Sequence, residues 1–557
     1  MASQSRPSHR KVAGFFLFGI TITIKTIMSE TLKQFISAGR QAMIQKDWAL
    51  LEQIVAQMVP TFPDSAESHY LRGVLARVKR DVPEAIEAFK QGLSLDDQRY
   101  DMAVELANMY SVSRQNAAAA ELLDHYSSAL NDSPRYADLA GTIYTEIGMS
   151  DRALPLFKRA CELQPEAQVF KANLATCAVF VGDIDLGETL YRELLAANPE
   201  HRKNHYQLSR LKKAKDETHI KQMLSVIKDS SETARNIPVY FALGKEYEDL
   251  GEWDKSFEFY QKACDGVKAQ TGHDVQQDIA QIETIKEAFN ADYMSAMQSQ
   301  NDPKGSAATP IFVLGLPRSG TTLVERILSS HPDVTSLGET VFLQLAIRNH
   351  AGLQGSDKID AKSLQRIAKL SPEPIASEYL NSVAYRLKGE SFFIEKLPFN
   401  FLYAGLIAAA WPNARIVNLV RHPMDSCFSM YKQVFTWAYK YSYSLDDLGQ
   451  YYVAYDSLRE HWKQLLGDRF VEVRYEELVS DQEAQTRTLL DALKIPFDQA
   501  CLEFEKNAAP SATASSVQVR SKVHSGSVGK WQHYAKHLKP LEDHLRAGGV
   551  DLEAHLQ

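Results

Sequence analysis

The chain has 557 residues, 45% hydrophobic and 24% charged, with a formal net charge of -8 at neutral pH. It is too long for a single hydrophobic core and has the composition of a folded globular protein. Its net negative charge excludes a global pull toward nucleic acid or anionic membrane, so any anion site has to be a local cluster of Lys and Arg.

At the N-terminus, Arg6, Arg10 and Lys11 precede the apolar run Val12 to Ile24, which Lys25 closes. The run is short for a membrane span, which needs about 20 apolar residues, and it carries no obvious small-x-small cleavage site. Residues 1–27 are read as an over-extended start, with Met28 as the working one; a membrane anchor through 12–24 is the other reading. Five scattered cysteines, Cys161, Cys177, Cys264, Cys427 and Cys501, contain no Cys-x-x-Cys pair. That argues against a disulfide framework or a zinc site and favours a reducing, cytoplasmic setting.

The first half repeats itself. Gly148, Phe157, Ala160 and Pro165 recur 34 residues on as Gly182, Tyr191, Leu194 and Pro199. Two periods back, Gly141, Ala153 and Phe157 become Gly73, Ala85 and Phe89, and the copy between supplies Ala107, Tyr110, Ala119 and Leu123. A further unit, Gly244, Tyr247, Gly251, Ser256, Tyr260 and Ala263, runs one residue out of phase. Small residues let paired helices approach, and the aromatics fill the space between one pair and the next. These types and spacings resemble the tetratricopeptide repeat, which implies an all-α solenoid over 30–270 with a concave face suited to a protein partner. Residues 30–65 and 202–236 fit the period loosely. Val275 to Met297 is predicted as a helix, and QNDPKGSAAT (300–309) breaks the pattern, so 271–309 reads as helix and linker.

A second domain, 310–557, opens with PIFVLGLPRSGTTLVERILSS. Ile311 to Leu314 suits a buried parallel strand, Gly315 to Thr322 is a turn rich in Gly, Ser and Thr, and Leu323 to Leu328 has helical apolar spacing. Strand, glycine loop and helix in that order aim backbone N–H groups and a helix N-terminus at an anion. Gly320 permits close approach, Arg318 supplies fixed charge, and Ser319, Thr321 and Thr322 offer hydroxyls. The Walker sequence G-x-x-x-x-G-K-[ST] is absent. In RIVNLVRHPMDSCFSMYK (415–432), Arg421 ends a second apolar strand, where ligands of open α/β sheets bind, and Ser429 follows eight residues later.

PRSGTT resembles the 5′-phosphosulfate loop of sulfotransferases, and Arg421 with Ser429 resembles the pair that grips the 3′-phosphate of their donor, 3′-phosphoadenylyl sulfate. The segment ASSVQVRSKVHSGSVGKW (514–531) is similar to the donor-covering loop of the tyrosylprotein sulfotransferases, and Tyr475 in FVEVRYEELV matches the same family's Tyr-Glu-x-Leu segment. The resemblance covers about 310–535. It implies an α/β P-loop-like domain with a parallel sheet, in which Arg318 to Thr322, Arg421, Ser429, Tyr475, Ser516, Gln518, Val519 and Lys530 hold the donor. It also implies that Glu339, 21 residues after Arg318, takes the acceptor's proton, and that Lys396 and Ser515 stabilise the transferring group. Near Glu339, His331 and Asp333 are the alternative bases.

No cluster with metal-ligand spacing occurs, so no metal is expected. The acceptor could be a protein tyrosine, a peptide, a glycan or a small hydroxyl compound; nucleic acid is not expected. Two departures weaken the tyrosine reading: Val341 stands where the tyrosylprotein branch has an Arg, and Gln433 where a further donor-binding Arg is expected. An atypical phosphotransferase would need a Walker-type Lys and a Mg²⁺-binding Asp, and neither is visible. A non-catalytic repeat scaffold with a degenerate second domain is opposed by the intact Arg318, Glu339, Lys396, Arg421 and Ser429.

Overall fold

The computed structural model describes residues 10–227, 233–298, 308–353, 359–435, 438–511, 513 and 517–553, without the side chains of residues 10–27 and 298. The side chains of the apolar run Val12 to Ile24 and most of the expected linker 300–309 thus lie outside the described residues. Among the described residues, no helix is long and apolar enough to cross a membrane. The chain divides into two compact units, Met1–Ile147 with Glu162–Gln164, and Gly148–Cys161 with Pro165–Gln557.

The first unit is all helical. Helix Ala66–Val78 packs on helix Val82–Leu95, and the contact explains one repeat glycine. A Cβ on Gly73 would stand 2.4 Å from the ring of Phe89, so only hydrogen fits. The equivalent pair in the second unit, helices Thr233–Asp249 and Trp253–Thr271, does the same with Gly244, whose Cβ would lie 2.7 Å from Tyr260. Small residue and ring, 16 positions apart, are therefore one contact made twice.

The period is even clearer in the backbone. Left-handed φ values fall at Lys46, Arg80, Arg114, Gly148 and Gly182, each 34 residues from the last, and again at Gly251. Each precedes the second helix of a pair. At three of these turns the next residue caps that helix: Asp47, Asp81 and Asp183 accept from the N–H groups of Leu50, Glu84 and Leu186. The stretch 30–65 is thus in phase, although Lys46 occupies a turn that glycine fills elsewhere.

The second unit continues with helices and then a five-stranded parallel sheet, β1 Thr309–Gly315, β2 Val334–Ser336, β3 Phe392–Lys396, β4 Arg415–Val420 and β5 Phe470–Arg474, in the order β2-β3-β1-β4-β5. Side chains alternate across it. Ile311, Val313, Ile394, Val417 and Leu419 pack under helices Thr321–Leu328 and Gln482–Leu493. Phe312, Leu314, Phe393 and Ile416 share a larger core with Tyr379, Trp411 and Trp462, and this core extends to Phe241, Tyr260, Ile285 and Phe289 of the helices before the sheet. The predicted helix Val275 to Met297 is two helices, Val275–Ala288 and Ala291–Gln298, because Phe289 leaves helical geometry to enter that core. After β1 the chain goes to one side of the sheet and after β3 it crosses to the other, so the crevice at the C-terminal ends of β1 and β4 is the topological switch point.

A prediction follows from the turns. An L-residue in the left-handed region costs about 1 kcal/mol that glycine avoids. Arg80 is exposed there and has φ 62°. Arg80→Gly should therefore raise the stability of the helical unit by about that amount, and Arg80→Ala should not, as read by urea unfolding followed by circular dichroism.

Candidate active site

A cavity of about 1140 Å³ opens at the switch point. Among the described residues lining it are Arg318, Gly320, Thr321, Thr322, Glu339, Arg421, Ser429, Tyr475, Gln518, Val519 and Lys530, all predicted from sequence. Of the remaining predicted residues, Ser319 lies in the loop beneath, Lys396 reaches the cavity through Glu339, and Ser515 and Ser516 lie outside the described residues.

The loop between β1 and helix Thr321–Leu328 is held tightly. Gly315 has φ 134°, and a Cβ there would meet the Leu419 carbonyl of β4 at 2.8 Å. Gly320 has φ 111°, with the Tyr475 ring 2.6 Å from where its Cβ would be. Arg318, a non-glycine residue at φ 68°, is also left-handed, a conformation that persists only where the surroundings impose it. The Ser319 hydroxyl donates to the Leu316 carbonyl at 2.7 Å, so it braces the loop. Thr321 and Thr322 are buried at the helix N-terminus, and the Thr322 hydroxyl lies 3.4 Å from that of Thr513.

Arg421 follows β4 directly and is 7% exposed. Its Nη1 donates to the Arg318 carbonyl at 3.1 Å, its Nη2 to the Ser527 carbonyl at 2.6 Å, and its guanidinium lies 4.8 Å from the centre of the Tyr475 ring. Its Nε is buried with no hydrogen-bond partner among the described residues. Ser429 sits eight residues on, along helix Pro423–Tyr431. Arg318 donates to Gln518 at 3.1 Å; burial, then the charges of Arg210 and Arg421, push its guanidinium down to about 10.

Lys396 ends β3 and is fully buried, which disposes of an exposed strand-end role. Its ammonium is bonded to the Glu339 carboxylate and lies 3.6 Å from Glu325. Burial alone would lower the lysine; the two carboxylates outweigh it and hold it above its ordinary range. Glu339 precedes helix Phe342–His350 but does not cap it: the cap residue is Val341. The other two candidate bases are elsewhere. His331 is buried, with Nε2 3.0 Å from the Pro496 carbonyl and Nδ1 accepting from the Asp333 N–H. Asp333 is exposed, and neither lines the cavity.

Sequence reasoning missed the residues that hold this arrangement from behind. Glu395, beside Lys396 but facing the opposite side of the sheet, accepts from Thr340 at 2.9 Å and from Asn400 at 2.8 Å, and so fixes the residue next to Glu339. Asp425 accepts from the Gly529 and Trp531 N–H groups at 2.7 and 3.2 Å, and the Tyr475 hydroxyl meets that of Ser527 at 2.7 Å. The acidic residue one turn after Arg421 was a readable signal for Asp425; Glu395 had none, being one charge in a strand.

The helices before the sheet contribute as well. The Phe180 carbonyl, at the end of helix Gln168–Val181, accepts from the Ser511 N–H and from Arg520, each at 2.9 Å. Glu248, on helix Thr233–Asp249, accepts from Lys432 at 2.6 Å, Lys530 at 3.0 Å and the Tyr534 hydroxyl at 2.9 Å. Burial would raise its carboxyl; Lys432 and Lys530 outweigh that and hold it at about 2. The loop that carries Gln518 and Lys530 is thus fastened near its start by Phe180 and at its end by Glu248 and Asp425. Among the described residues lining the cavity, nine are Lys or Arg, while Glu248, Asp249, Glu339 and Asp425 are the carboxylates. The excess of positive charge suits a ligand with several negative charges. The described residues hold no group of His, Cys, Asp and Glu able to bind a metal ion.

Comparison with known proteins agrees with this architecture. Residues 310–499 match the family model described as "Sulfotransferase family", and residues 237–265 match that of the tetratricopeptide repeat. Residues 310–499 are thus similar to the sulfotransferase family and residues 237–265 to the tetratricopeptide repeat. An uncharacterized protein of Aquifex aeolicus is 29% identical over 443 residues, covering 76% of this chain and 56% of that protein. Protein-tyrosine sulfotransferase 1 of Danio rerio is 28% identical over 231 residues, covering 40% of this chain and 65% of its own length. The chain therefore spans less than two thirds of either relative. The solved sulfotransferase domain of the Synechococcus PCC 7002 olefin synthase is 19% identical, covers 45% of this chain and 98% of its own, and superposes with a TM-score of 0.31.

The buried Glu395 makes a pH prediction. Burial pushes its carboxyl up to about 7, against the pull of its hydrogen bonds. A carboxyl raised on folding favours the protonated folded state, so its contribution is complete below the unfolded carboxylate range and is lost as pH rises through about 7. Wild-type stability should fall by up to about 3 kcal/mol between pH 5 and 8 on this account. Glu395→Gln, neutral throughout, should lose that dependence in urea unfolding measured across the same range.

Proposed function

We propose that this protein is a sulfotransferase that moves a sulfuryl group from 3′-phosphoadenylyl sulfate to an acceptor hydroxyl. The observation that carries the reading is the meeting, in one cationic cavity, of the PRSGTT loop, Arg421 with Ser429, and the Glu339–Lys396 pair. The family match over 310–499 and the protein-tyrosine sulfotransferases among the relatives support it.

In this mechanism the loop Arg318 to Thr322 takes the 5′-phosphosulfate end of the donor, and Arg421 with Ser429 takes the 3′-phosphate. Tyr475, Ser516, Gln518, Val519 and Lys530 line the nucleotide. The acceptor oxygen attacks sulfur in line, the bond from sulfur to the bridging phosphate oxygen breaks, and adenosine 3′,5′-bisphosphate leaves. Glu339 accepts the acceptor's proton as the new S–O bond forms. Lys396 and Ser515 donate to the oxygens on which charge grows, where stabilisation lowers the barrier. Lys396 is dry, close to the cavity and already bonded to Glu339, so one buried cation can orient the base and face the developing charge. No metal is required by this set of residues. A protein tyrosine is the acceptor suggested by the named relatives; Val341, half-exposed where a basic residue would read an acidic peptide, leaves the acceptor class open to peptides, glycans and small phenols. The repeats offer a surface for a protein partner, and the reducing setting inferred from the cysteines favours the cytoplasm.

Two substitutions test the assignment. Glu339→Gln should leave affinity for adenosine 3′,5′-bisphosphate nearly unchanged while turnover, followed with an aryl sulfate as the sulfuryl source, falls about 10²–10⁴-fold. Near-normal turnover would reject Glu339 as the base. Arg421→Ala should weaken the 3′,5′-bisphosphate far more than adenosine 5′-phosphate in calorimetric titrations, by an amount corresponding to about 2–5 kcal/mol. Equal weakening of both would assign Arg421 to the 5′ end or to the fold.

A further inference from the structure

The repeat helix Arg202–Ser209 and its cap residue Arg210 form part of the cavity wall: Tyr206 and Arg210 line it together with Arg318 and Arg421. Arg210 is half-buried, with its guanidinium 5.3 Å from the centre of the Tyr206 ring. The Tyr206 hydroxyl in turn accepts from Gln433 Nε2 at 3.3 Å, and Gln433 follows the helix that carries Ser429. Gln433 is the residue that stands where the resemblance expects an arginine. It ties this edge of the phosphate site to the repeat helix, and the repeat helix brings an arginine of its own.

Electrostatics supports the same convergence. The charges of Arg210 and Arg421 both reach Arg318 and help to depress it. The Asp425 carboxylate, also in the lining, lies 3.9 Å from Arg421, and with nine Lys and Arg against four carboxylates among the described residues the cavity keeps a positive excess that an anion can meet. Arg421 also keeps a buried Nε without a partner among the described residues. Arg421 and Arg318 come from the sheet domain, and Arg210 joins them in the cavity lining from the helix Arg202–Ser209 before the sheet.

We infer that Arg210, on the last turn of a repeat helix, is a donor-binding residue that contacts an anionic group of the nucleotide and replaces the arginine absent at position 433. The repeats are then part of the donor site. This rests on the sulfotransferase reading, and the experiment separates the two.

The probe is adenosine 3′,5′-bisphosphate, titrated calorimetrically into the full chain, with neutral adenosine as a second ligand. The wild type should bind the bisphosphate; if it does not, the reading of the cavity itself fails. Arg210→Ala should bind it about 10- to 100-fold more weakly, with adenosine affinity unchanged, and Arg210→Lys should recover part of the loss. Arg210→Gln, which keeps more of the side chain's packing, should match the alanine variant. Wild-type affinity in both neutral variants, beside a binding wild type, overturns the inference while the cavity reading stands. So does a parallel loss of bisphosphate and adenosine, which would make Arg210 a wall of the cavity, or an unchanged bisphosphate affinity with a raised acceptor KM, which would assign it to the acceptor.

Discussion

The structure of the second unit is organised by an excess of positive charge at the C-terminal ends of β1 and β4. Arg318 and Arg421 stand there by consequence of the sheet: each follows a buried strand at the point where the chain's path across the sheet reverses. Bringing such groups out of water costs free energy unless oppositely charged or hydrogen-bonding partners meet them. Their partners include the backbone carbonyls of Arg318 and Ser527, the Gln518 amide, the face of Tyr475 and, 3.9 Å from Arg421, the Asp425 carboxylate. All of these but Asp425 are dipoles, which hold the arginines in place. The tight glycines, the left-handed Arg318 and the packing of Tyr475 on Gly320 fix donors ahead of the ligand, so little reorganisation is left for binding or reaction.

The same logic extends into the helices that precede the sheet. Glu248 is a buried carboxylate in the second unit that meets two cavity lysines at once, and Phe180 offers a helix-terminal carbonyl to the loop that carries Gln518. Truncating one member of a buried ion pair leaves its partners uncompensated and commonly costs about 3–5 kcal/mol. The loop over the cavity therefore depends on residues that belong, by sequence, to the repeat array. Helices Thr233–Asp249 and Trp253–Thr271 also share a continuous apolar core with one face of the sheet, through Phe241, Tyr260 and Phe428. In this unit the helices before the sheet act as framework for the loops that line the cavity.

What could be read in the sequence follows from how local each signal is. The PRSGTT loop was legible because strand, glycine turn and helix lie within about twenty residues, and each type has one job. The Arg421–Ser429 pair was legible through its resemblance to the sulfotransferase pair, an Arg at a strand end and a Ser eight residues on. The repeat period was legible where glycine or alanine marks a close approach, as at Gly73 and Gly244, and hidden where Lys46, Arg80 and Arg114 occupy the same left-handed turn. The helix Val275 to Met297 was read as continuous because its apolar spacing continues; Phe289 breaks it for a tertiary reason. Glu248, Glu395 and Arg210 gave no signal, because a single charge on a helix or strand looks solvated until its neighbours are known. Lys530 was identified without its partner, since nearly three hundred residues separate it from Glu248.

The central claim is that this cavity takes a nucleotide carrying phosphates at both ends of its ribose, and hydrogen–deuterium exchange on the full chain tests it most directly. With saturating adenosine 3′,5′-bisphosphate, amide exchange should slow at 315–322, the loop proposed to take the 5′ end, at 421–429, and across 517–530, the loop proposed to line the nucleotide. Adenosine 5′-phosphate should protect the first of these and leave 421–429 near its unliganded rate. Protection absent from all three segments under saturating bisphosphate, or identical patterns for the two nucleotides, would contradict the account.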